Sequence, residues 1–537
     1  MNTKGKHLIL GALFGLLTSL PVIALSYLAN TLAGLPFIPF DIFDWVARTL
    51  PGGLLTFGID SMVAVITRFN LGQTSSTAKL IEQIMAILQL AGGGAIFGLV
   101  LAWLGQRRDL DYGPAGVIGG AVLFLATLAI EASLGTPEAG WLPTIFWFAA
   151  LFFPWGALLG LTIRRLQTGA EEERIGEFDR RTFLQLVGGG SVAAAAVAVG
   201  LGRLVEGAEG QAPTAQSIPE LDIEDTSGPA ASPPEPTLQA RIEPAPGTRP
   251  ELTSNEDFYR IDINTMPPNV DANSWRLELG GLVDNPMTLT IEDILAMPSQ
   301  TQALTMQCIS NPIGGDLTST SRWTGVPFAH LLEQAGLQNG ALEIAIESVD
   351  GFYESVTLED AMDPRTLLVY AMNGVPLPVE HGFPLRVYIP NRYGMKQPKW
   401  ITRMEVIDEE GPGYWVDRGW SEEAFAHTTS VIDNVALEGE FEEGDPVPVG
   451  GIAWSGDEGI SKVEIQVDDG DWMEAQLRVP PLSSLSWVQW RFDWPYSAGN
   501  HTFRVRAYDG SGEMQILESN PVRPDGATGI HTMRVRV

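Results

Sequence analysis

A single cysteine, Cys308, occurs in the 537 residues. That scarcity excludes an intrachain disulfide and any zinc or iron–sulfur site built from cysteines alone, because such sites need several thiolates. Histidine is almost as sparse. None of the six (His7, His330, His381, His427, His501, His531) lies in a long apolar run, so a membrane haem held by two histidines of this chain is excluded. Positive charge is short too: 33 Lys and Arg stand against 65 Asp and Glu, a net charge of −32. A nucleic acid would be repelled over most of such a surface. No glycine-rich nucleotide loop of either common type is present.

What the chain has in excess is unevenly placed. Four runs are long and apolar enough to span a bilayer: Leu8 to Leu28, Leu80 to Leu104, Pro114 to Leu134 and Trp141 to Ile163. A fifth, Phe183 to Leu204, is rich in Gly and Ala. The stretch Asp41 to Phe69 carries Arg48, Asp60 and a Pro-Gly-Gly break, which suits an interfacial or re-entrant segment. With that stretch not spanning, Arg107, Arg108, Arg164, Arg165, Arg174, Arg180 and Arg181 all fall on the side of Lys4 and Lys6. Five spans therefore satisfy the positive-inside rule, and the fifth leads the rest of the chain outside. The expected location is the cytoplasmic membrane, multi-pass, with the remainder on the periplasmic or extracellular side. Asp179-Arg-Arg-Thr-Phe-Leu-Gln, ahead of the fifth run, looks like a twin-arginine export signal with Asp179 in place of the usual Ser. Paired arginines also serve simply as topology anchors. Because the spans hold little charge beyond Glu82 and Glu131, anchoring or docking to another membrane subunit is expected rather than an ion pathway.

The expected order is a membrane domain over 1–206, a Pro/Ala-rich linker over 207–252, an α+β domain over 253–428 and an all-β immunoglobulin-like sandwich over 429–537. The linker composition cannot bury a core. In 253–428, strand-like W-R-L-E-L-G-G-L-V and helix-like V-P-F-A-H-L-L-E-Q-A-G, with Gly336 as its C-cap, alternate without a βαβ rhythm. In the last section V-E-I-Q-V-D-D-G-D-W-M-E-A, W-V-Q-W-R-F-D-W and H-T-F-R-V-R-A-Y-D-G-S-G alternate with turn signals.

Two groups of residues bear on chemistry. Cys308 follows an apolar strand-like run and precedes a Gly-containing loop. It is either an inert buried thiol or a soft ligand to a transition metal whose other ligands come from outside the chain. Arg386, Arg392, Lys396, Lys399 and Arg403 crowd one short stretch of an otherwise acidic chain. They suit an anionic ligand, or else ion pairs with the many carboxylates.

These segments carry a resemblance. Q-C-I-S-N, R-W-T-G-V-P-F-A-H-L-L-E-Q-A-G, M-N-G-V-P-L-P-V-E-H-G-F-P-L-R-V and P-K-W-I occur in an order and spacing similar to the sulfite-oxidase-type molybdopterin domain. That superfamily includes assimilatory nitrate reductases and a periplasmic methionine-sulfoxide reductase subunit. The resemblance covers roughly Asn255 to Trp420, with H-G-F-P-L-R its most specific piece. The sandwich resembles the dimerisation domain of sulfite oxidases, which implies a homodimer through the C-terminal domain as one arrangement.

The resemblance implies Mo-molybdopterin as cofactor, with Cys308 as thiolate ligand to the metal and Arg260 steering an anionic substrate. His381, Arg386, Lys399 and, less closely, Asp350 would bind the cofactor. Sulfite oxidases place a catalytic tyrosine where this chain has Trp420, and arginines where it continues Asn311-Pro-Ile-Gly-Gly. A neutral substrate thereby gains on sulfite. The expected activity is oxygen-atom transfer on a small substrate outside the membrane, as an oxidase or as an S-oxide or N-oxide reductase. With no haem-attachment or iron–sulfur motif in the chain, a separate electron carrier is implied, a cytochrome or a quinone-linked membrane subunit. The non-enzymatic alternatives are a tethered binding protein and a pterin fold that has lost its metal.

Overall fold

The computed structural model describes residues 3–69, 71–107, 111–167, 180–208 and 242–537. Asp179 and most of the expected linker lie outside the described residues. The chain divides into two compact units, one mainly helical and N-terminal, the other holding the residues from 267 onward.

Among the described residues the N-terminal part has seven helices: α1 (Thr3–Ala33), α2 (Ile38–Thr49), α3 (Gly52–Phe69), α4 (Thr74–Arg107), α5 (Tyr112–Leu134), α6 (Trp141–Gln167) and α7 (Arg180–Ala208). By length and composition six of them, all but α2, can cross a membrane. Five contain the expected runs. The sixth, α3, falls within the stretch expected not to span, so length and composition admit one more crossing than the arginine placement favours. The preceding α2 is short, with Pro39 in its first turn, as an interfacial segment would be.

Lipid supplies no hydrophobic drive between helices, so their association depends on close approach of backbones at small residues. Both α5 and α6 carry such a face, Gly116 and Gly120 against Gly156 and Gly160. A Cβ on Gly156 would stand only 3.0 Å from Gly120 Cα. On α1 and α4, Gly15 and Gly94 meet similarly, since a Cβ on Gly94 would come within 2.7 Å of Gly15 O. This Gly-x-x-x-Gly spacing is present in the sequence, and hydropathy alone passes over it.

The second unit begins with two five-stranded sheets. One has the order β2 (Met287–Leu289), β1 (Leu277–Gly281), β10 (Ile401–Ile407), β5 (Glu343–Ser348), β6 (Tyr353–Thr357). Its β1–β10 pair is parallel and the other pairs are antiparallel. The other sheet runs β3 (Gln300–Gln307), β4 (Thr318–Pro327), β7 (Leu367–Met372), β8 (Val375–Pro376), with β9 (Arg386–Tyr388) also paired to β7. Three helices join them: α8 (Ile291–Leu295), α9 (Phe328–Ala335) and α10 (Leu358–Met362). Thr290 and Asp293 close a reciprocal capping box on α8. Helix α9 is the stretch read as helical from sequence, with Phe328, Leu331, Leu332 and Ala335 buried and Gly336 at its end. Both sheets and α9 share one core around Leu304, Trp323, Leu332, Ile346, Leu368 and Val387.

From Thr429 the chain forms two four-stranded sheets. These are β11 (Thr429–Val435), β12 (Pro446–Trp454), β16 (Val488–Pro495), β15 (Gln476–Leu477) and, facing them, β14 (Met473–Glu474), β13 (Ile460–Val467), β17 (Asn500–Asp509), β18 (His531–Arg536). Val449 and Trp490 of one sheet and Ile465 and Phe503 of the other fill a common core, which makes this part a β-sandwich. Residues 242–252, at the end of the stretch expected as tether, lie on it. Arg478 and Arg491 donate to the carbonyls of Ile242 and Glu243, and Trp487 Nε1 donates to Glu251 O at 3.1 Å.

The glycine contact between α5 and α6 generates an expected outcome. Gly156→Leu should force the pair apart and lower the melting temperature in detergent, at a cost of ~1–3 kcal/mol typical of overpacking. Gly189→Leu on α7, where a Cβ would meet nothing within 4 Å, should leave the melting temperature nearly unchanged.

Candidate molybdopterin site

Cys308 follows the last residue of β3 and is buried. Its N–H donates to Leu317 O at 2.9 Å, and its carbonyl accepts from Asn311 N at 3.0 Å. Asn311 Oδ1 in turn accepts from Leu317 N at 2.9 Å, so the loop from Cys308 to Leu317 is closed at its neck. Ser310 Oγ stands 3.0 Å from Cys308 Sγ. Burial raises the thiol above its ordinary value, and the Ser310 hydrogen bonds only partly offset this. A thiolate here needs a cation against it, which a bound metal supplies. Among the described residues no three His, Cys, Asp or Glu side chains gather as a metal cage.

The H-G-F-P-L-R segment brings the cationic residues together. Gly382 follows a 3-10 turn, Val379–His381, and adopts φ +111°. A Cβ there would lie 3.0 Å from Arg386 Cβ and 3.1 Å from Lys399 Cβ. Glycine is thus required both by the left-handed backbone and by the close passage of two basic side chains. Arg386 is buried: its Nη1 donates to His381 O at 3.1 Å, its Nη2 reaches Met306 Sδ at 3.3 Å, and its guanidinium lies 5.1 Å from the centre of the Trp323 ring. Lys399 Nζ donates to Glu380 O at 3.0 Å and pairs with Asp262. Arg260 pairs with the same carboxylate.

Three cationic side chains thus face one carboxylate. Burial drives Lys399 down to about 8 and Arg386 to about 10, and it depresses His381 to about 3, so the imidazole is neutral. His381 Nε2, 3.0 Å from Asn255 O, therefore serves as the donor. Among the described residues, Arg386 Nε, Arg260 Nη2 and Trp323 Nε1 are buried without a hydrogen-bond partner. Unpaired donors and excess positive charge are costly in a protein interior unless an anion completes them.

Of the five basic residues crowded in the sequence, the structure brings only Arg386 and Lys399 to this place. Arg392 pairs with Asp360 at 3.0 Å, Lys396 with Glu354 at 2.7 Å, and Arg403 with Glu405 at 2.7 Å on the surface. Asp350 caps its own turn by accepting from Phe352 N at 3.0 Å, and the neighbouring Val349 N donates to Trp400 O at 3.0 Å, which sets that turn beside Lys399. Arg260 is joined to Lys399 through Asp262, and its hydrogen bond is directed there rather than toward Cys308. Trp420 is buried with Ile309, Tyr393 and Met395, next to the thiol loop. Asp262 and Trp323 went unremarked in the sequence. Asp262, two residues beyond Arg260 in F-Y-R-I-D, was detectable by its spacing, whereas Trp323 read as an ordinary core residue.

A family profile described as the oxidoreductase molybdopterin binding domain matches residues 264–415. The chain is 32% identical over 171 residues to the uncharacterized oxidoreductase YuiH of Bacillus subtilis, covering 32% of this chain and 84% of that protein. It is 30% identical over 279 residues to the sulfite oxidase of Arabidopsis thaliana, covering 43% and 71%. Against the mitochondrial sulfite oxidase of Homo sapiens it is 30% identical over 313 residues, covering 49% of this chain and 57% of that one. The chain thus spans little more than half the length of the human protein.

Fold and site together define a molybdopterin-binding oxidoreductase domain. The chain belongs to the sulfite-oxidase-type family of these proteins, whose cofactor is Mo-molybdopterin. The residues present fit that group. A buried thiol would offer the metal one ligand, and the unpaired donors of Arg386 and Arg260, beside Lys399 and His381, would suit its anionic phosphate and polar pterin.

The pH dependence of stability follows from Lys399. An unfolded lysine titrates near 10.5, whereas this one does so at about 8 without ligand. Between those values the unfolded chain holds a proton that the folded protein lacks, so ligand-free stability should rise with pH across that window, by up to about 3 kcal/mol. A bound phosphate keeps the amine charged and should remove the rise. Thermal unfolding of cofactor-free and cofactor-loaded protein from pH 7 to 10 measures both arms, and Lys399→Met should flatten the first.

Proposed function

We propose that the chain is a membrane-anchored molybdenum enzyme that transfers an oxygen atom to or from a small substrate outside the cytoplasmic membrane. The observation that carries this reading is the pairing of one buried thiol with a neighbouring pocket of excess positive charge and unpaired donors. Cys308 would be the protein's ligand to molybdenum. Arg386, Lys399 and His381 would hold the cofactor, with Asp350 ordering the adjoining turn and Asp262 keeping Lys399 and Arg260 in place. When bound, the cofactor supplies a two-electron couple and the capacity to exchange oxygen, while the protein positions and tunes it.

The membrane topology belongs to the same reading. Five crossings, with α2 and α3 at the outer interface, keep every arginine cluster on one side and the catalytic domain on the other. Electrons pass to or from a separate carrier, a cytochrome or a quinone-linked membrane subunit. Pairing of two copies through the sandwich is compatible with this arrangement.

Between the two directions of oxygen transfer, reduction of a neutral S-oxide or N-oxide is favoured over sulfite oxidation. Trp420 replaces a phenol with an indole that only donates through N–H, and Arg260 is tied to Asp262. Asn311-Pro-Ile-Gly-Gly also stands where sulfite oxidases carry arginines, so fewer cations follow the thiol to meet an anionic substrate.

The full-length protein, produced in a host that makes molybdopterin, should contain stoichiometric molybdenum, and Cys308→Ala should lose it while remaining folded. Turnover of dimethyl sulfoxide or trimethylamine N-oxide by reduced protein should exceed oxidation of sulfite. Well-folded protein without molybdenum would overturn the enzymatic reading, and faster sulfite oxidation would reverse the direction.

A further inference from the structure

We infer that Asp60, on helix α3, is a specificity-determining residue: by pairing with Arg523 it turns anionic substrates away from a cleft beside the thiol loop. The inference deepens the reading under Proposed function and rests on it.

Where the catalytic domain gives way to the sandwich there is a cleft of about 500 Å3, a size that suits a small molecule. Phe425, Ile516, Pro521 and Pro524 give it an apolar lining, and Phe425 and Ile516 are exposed. Among the described residues that line it, Arg523 is the one Lys or Arg, against the carboxylates of Glu423 and Asp525.

The thiol loop lies behind this lining. The Arg523 guanidinium covers the Trp420 ring at 4.5 Å, and Trp420 packs with Ile309, the residue after Cys308. Tyr393 belongs to the same cluster, and a Cβ on Gly526, another lining residue, would come within 2.6 Å of its hydroxyl. A layer of aromatic side chains thus separates the cleft from the loop that begins at Cys308.

Arg523 does not face this cleft alone. Its Nη2 donates to Asp60 Oδ1 at 3.3 Å, and the Asp60 side chain is 54% exposed. Residues Ile59–Ser76 belong to the same compact unit as the catalytic domain and the sandwich. At the other end of that segment Gln73 Nε2 donates to Asp257 O at 2.9 Å and Thr74 N donates to Asp316 Oδ2 at 2.8 Å. Asp316 immediately precedes Leu317, whose carbonyl accepts from Cys308 N. The segment is therefore bonded at one end beside the thiol loop and at the other to the arginine of the cleft. A carboxylate that bonds the sandwich also fits an α3 lying outside the bilayer, as five crossings require.

An exposed ion pair of this kind adds little to stability. Its consequence is electrostatic. With Asp60 the cleft presents three carboxylates against one guanidinium, which lowers the local concentration of anions and leaves neutral molecules unaffected. The substrate class that fits is a neutral or cationic S-oxide or N-oxide whose apolar substituents pack on Phe425 and Ile516.

The test uses full-length, molybdenum-loaded protein carrying Asp60→Asn, which keeps the size of the side chain and removes its charge. At low ionic strength the ratio of kcat/KM for sulfite to that for dimethyl sulfoxide should rise about tenfold, through a lower KM for sulfite. The gain should shrink as salt is added. Asp60→Glu should keep the wild-type ratio, and Asp60→Asn combined with Arg523→Gln should lose the gain, because the effect passes through Arg523. Calorimetric binding of sulfate, which needs no turnover, should tighten about tenfold in Asp60→Asn and not in the double variant. An unchanged ratio with unchanged sulfate affinity in Asp60→Asn, or a gain that survives in the double variant, would overturn the role of Asp60. If loaded wild-type protein turns over none of the S-oxides, N-oxides or sulfite, the proposed function fails, and sulfate binding still decides whether Asp60 screens anions from the cleft.

Discussion

The catalytic domain is organised around a charge imbalance that its own residues do not cancel. Arg260, Arg386 and Lys399 are gathered at one place with Asp262 as their shared counter-charge. Arg386 is buried, and its Nε has no hydrogen-bond partner among the described residues. An interior of this kind is expensive when empty and favourable when an anion arrives. The domain therefore gives up some ligand-free stability in exchange for a preorganised cradle, and binding the cofactor becomes part of stabilising the fold.

The local backbone makes that concentration feasible. Gly382, in a left-handed conformation, lets the chain turn from the 3-10 segment into β9 without a side chain between Arg386 and Lys399. Helix-like and strand-like segments alone would separate two basic residues thirteen positions apart in sequence. The turn and the register of β9 on β7 set them side by side, and Trp323 of β4 gives the guanidinium a flat apolar surface. Neutral His381 adds a donor without adding charge, which suits a pocket that already repels further cations.

Much of this was legible in the sequence. The strand alternation around Leu277, helix α9 with its Gly336 cap and the strands of the sandwich all follow from periodicity and turn residues. The motif around Cys308 and H-G-F-P-L-R pointed to the cofactor through their resemblance to the sulfite-oxidase-type domain, since residue chemistry alone leaves the thiol either inert or a ligand. The basic stretch from Arg386 to Arg403 was misleading in part. Proximity in sequence suggested one patch, whereas β10 alternation sends Arg403 to the surface, and Arg392 and Lys396 find carboxylates on other elements. No local pattern encodes such distant partners.

The sandwich carries a structural share of the site. Strand β3, which leads to Cys308, is an edge strand, and edges leave backbone groups unpaired. The loop before β16 covers that edge: Thr305 N donates to Leu485 O at 3.0 Å, Trp487 N donates to Thr305 Oγ1 at 2.8 Å, and Leu485 enters the catalytic core. Beyond Cys308, Arg249 Nη2 donates to Gly315 O at 3.1 Å while its Nε pairs with Asp433 of β11 at 2.9 Å. Cys308, the proposed metal ligand, is thus held before and after by bonds reaching the sandwich. A thiol that must meet a metal at bonding distance tolerates little drift, so the C-terminal domain and the end of the preceding tether act as part of the scaffold of the site, whatever further partner the sandwich meets.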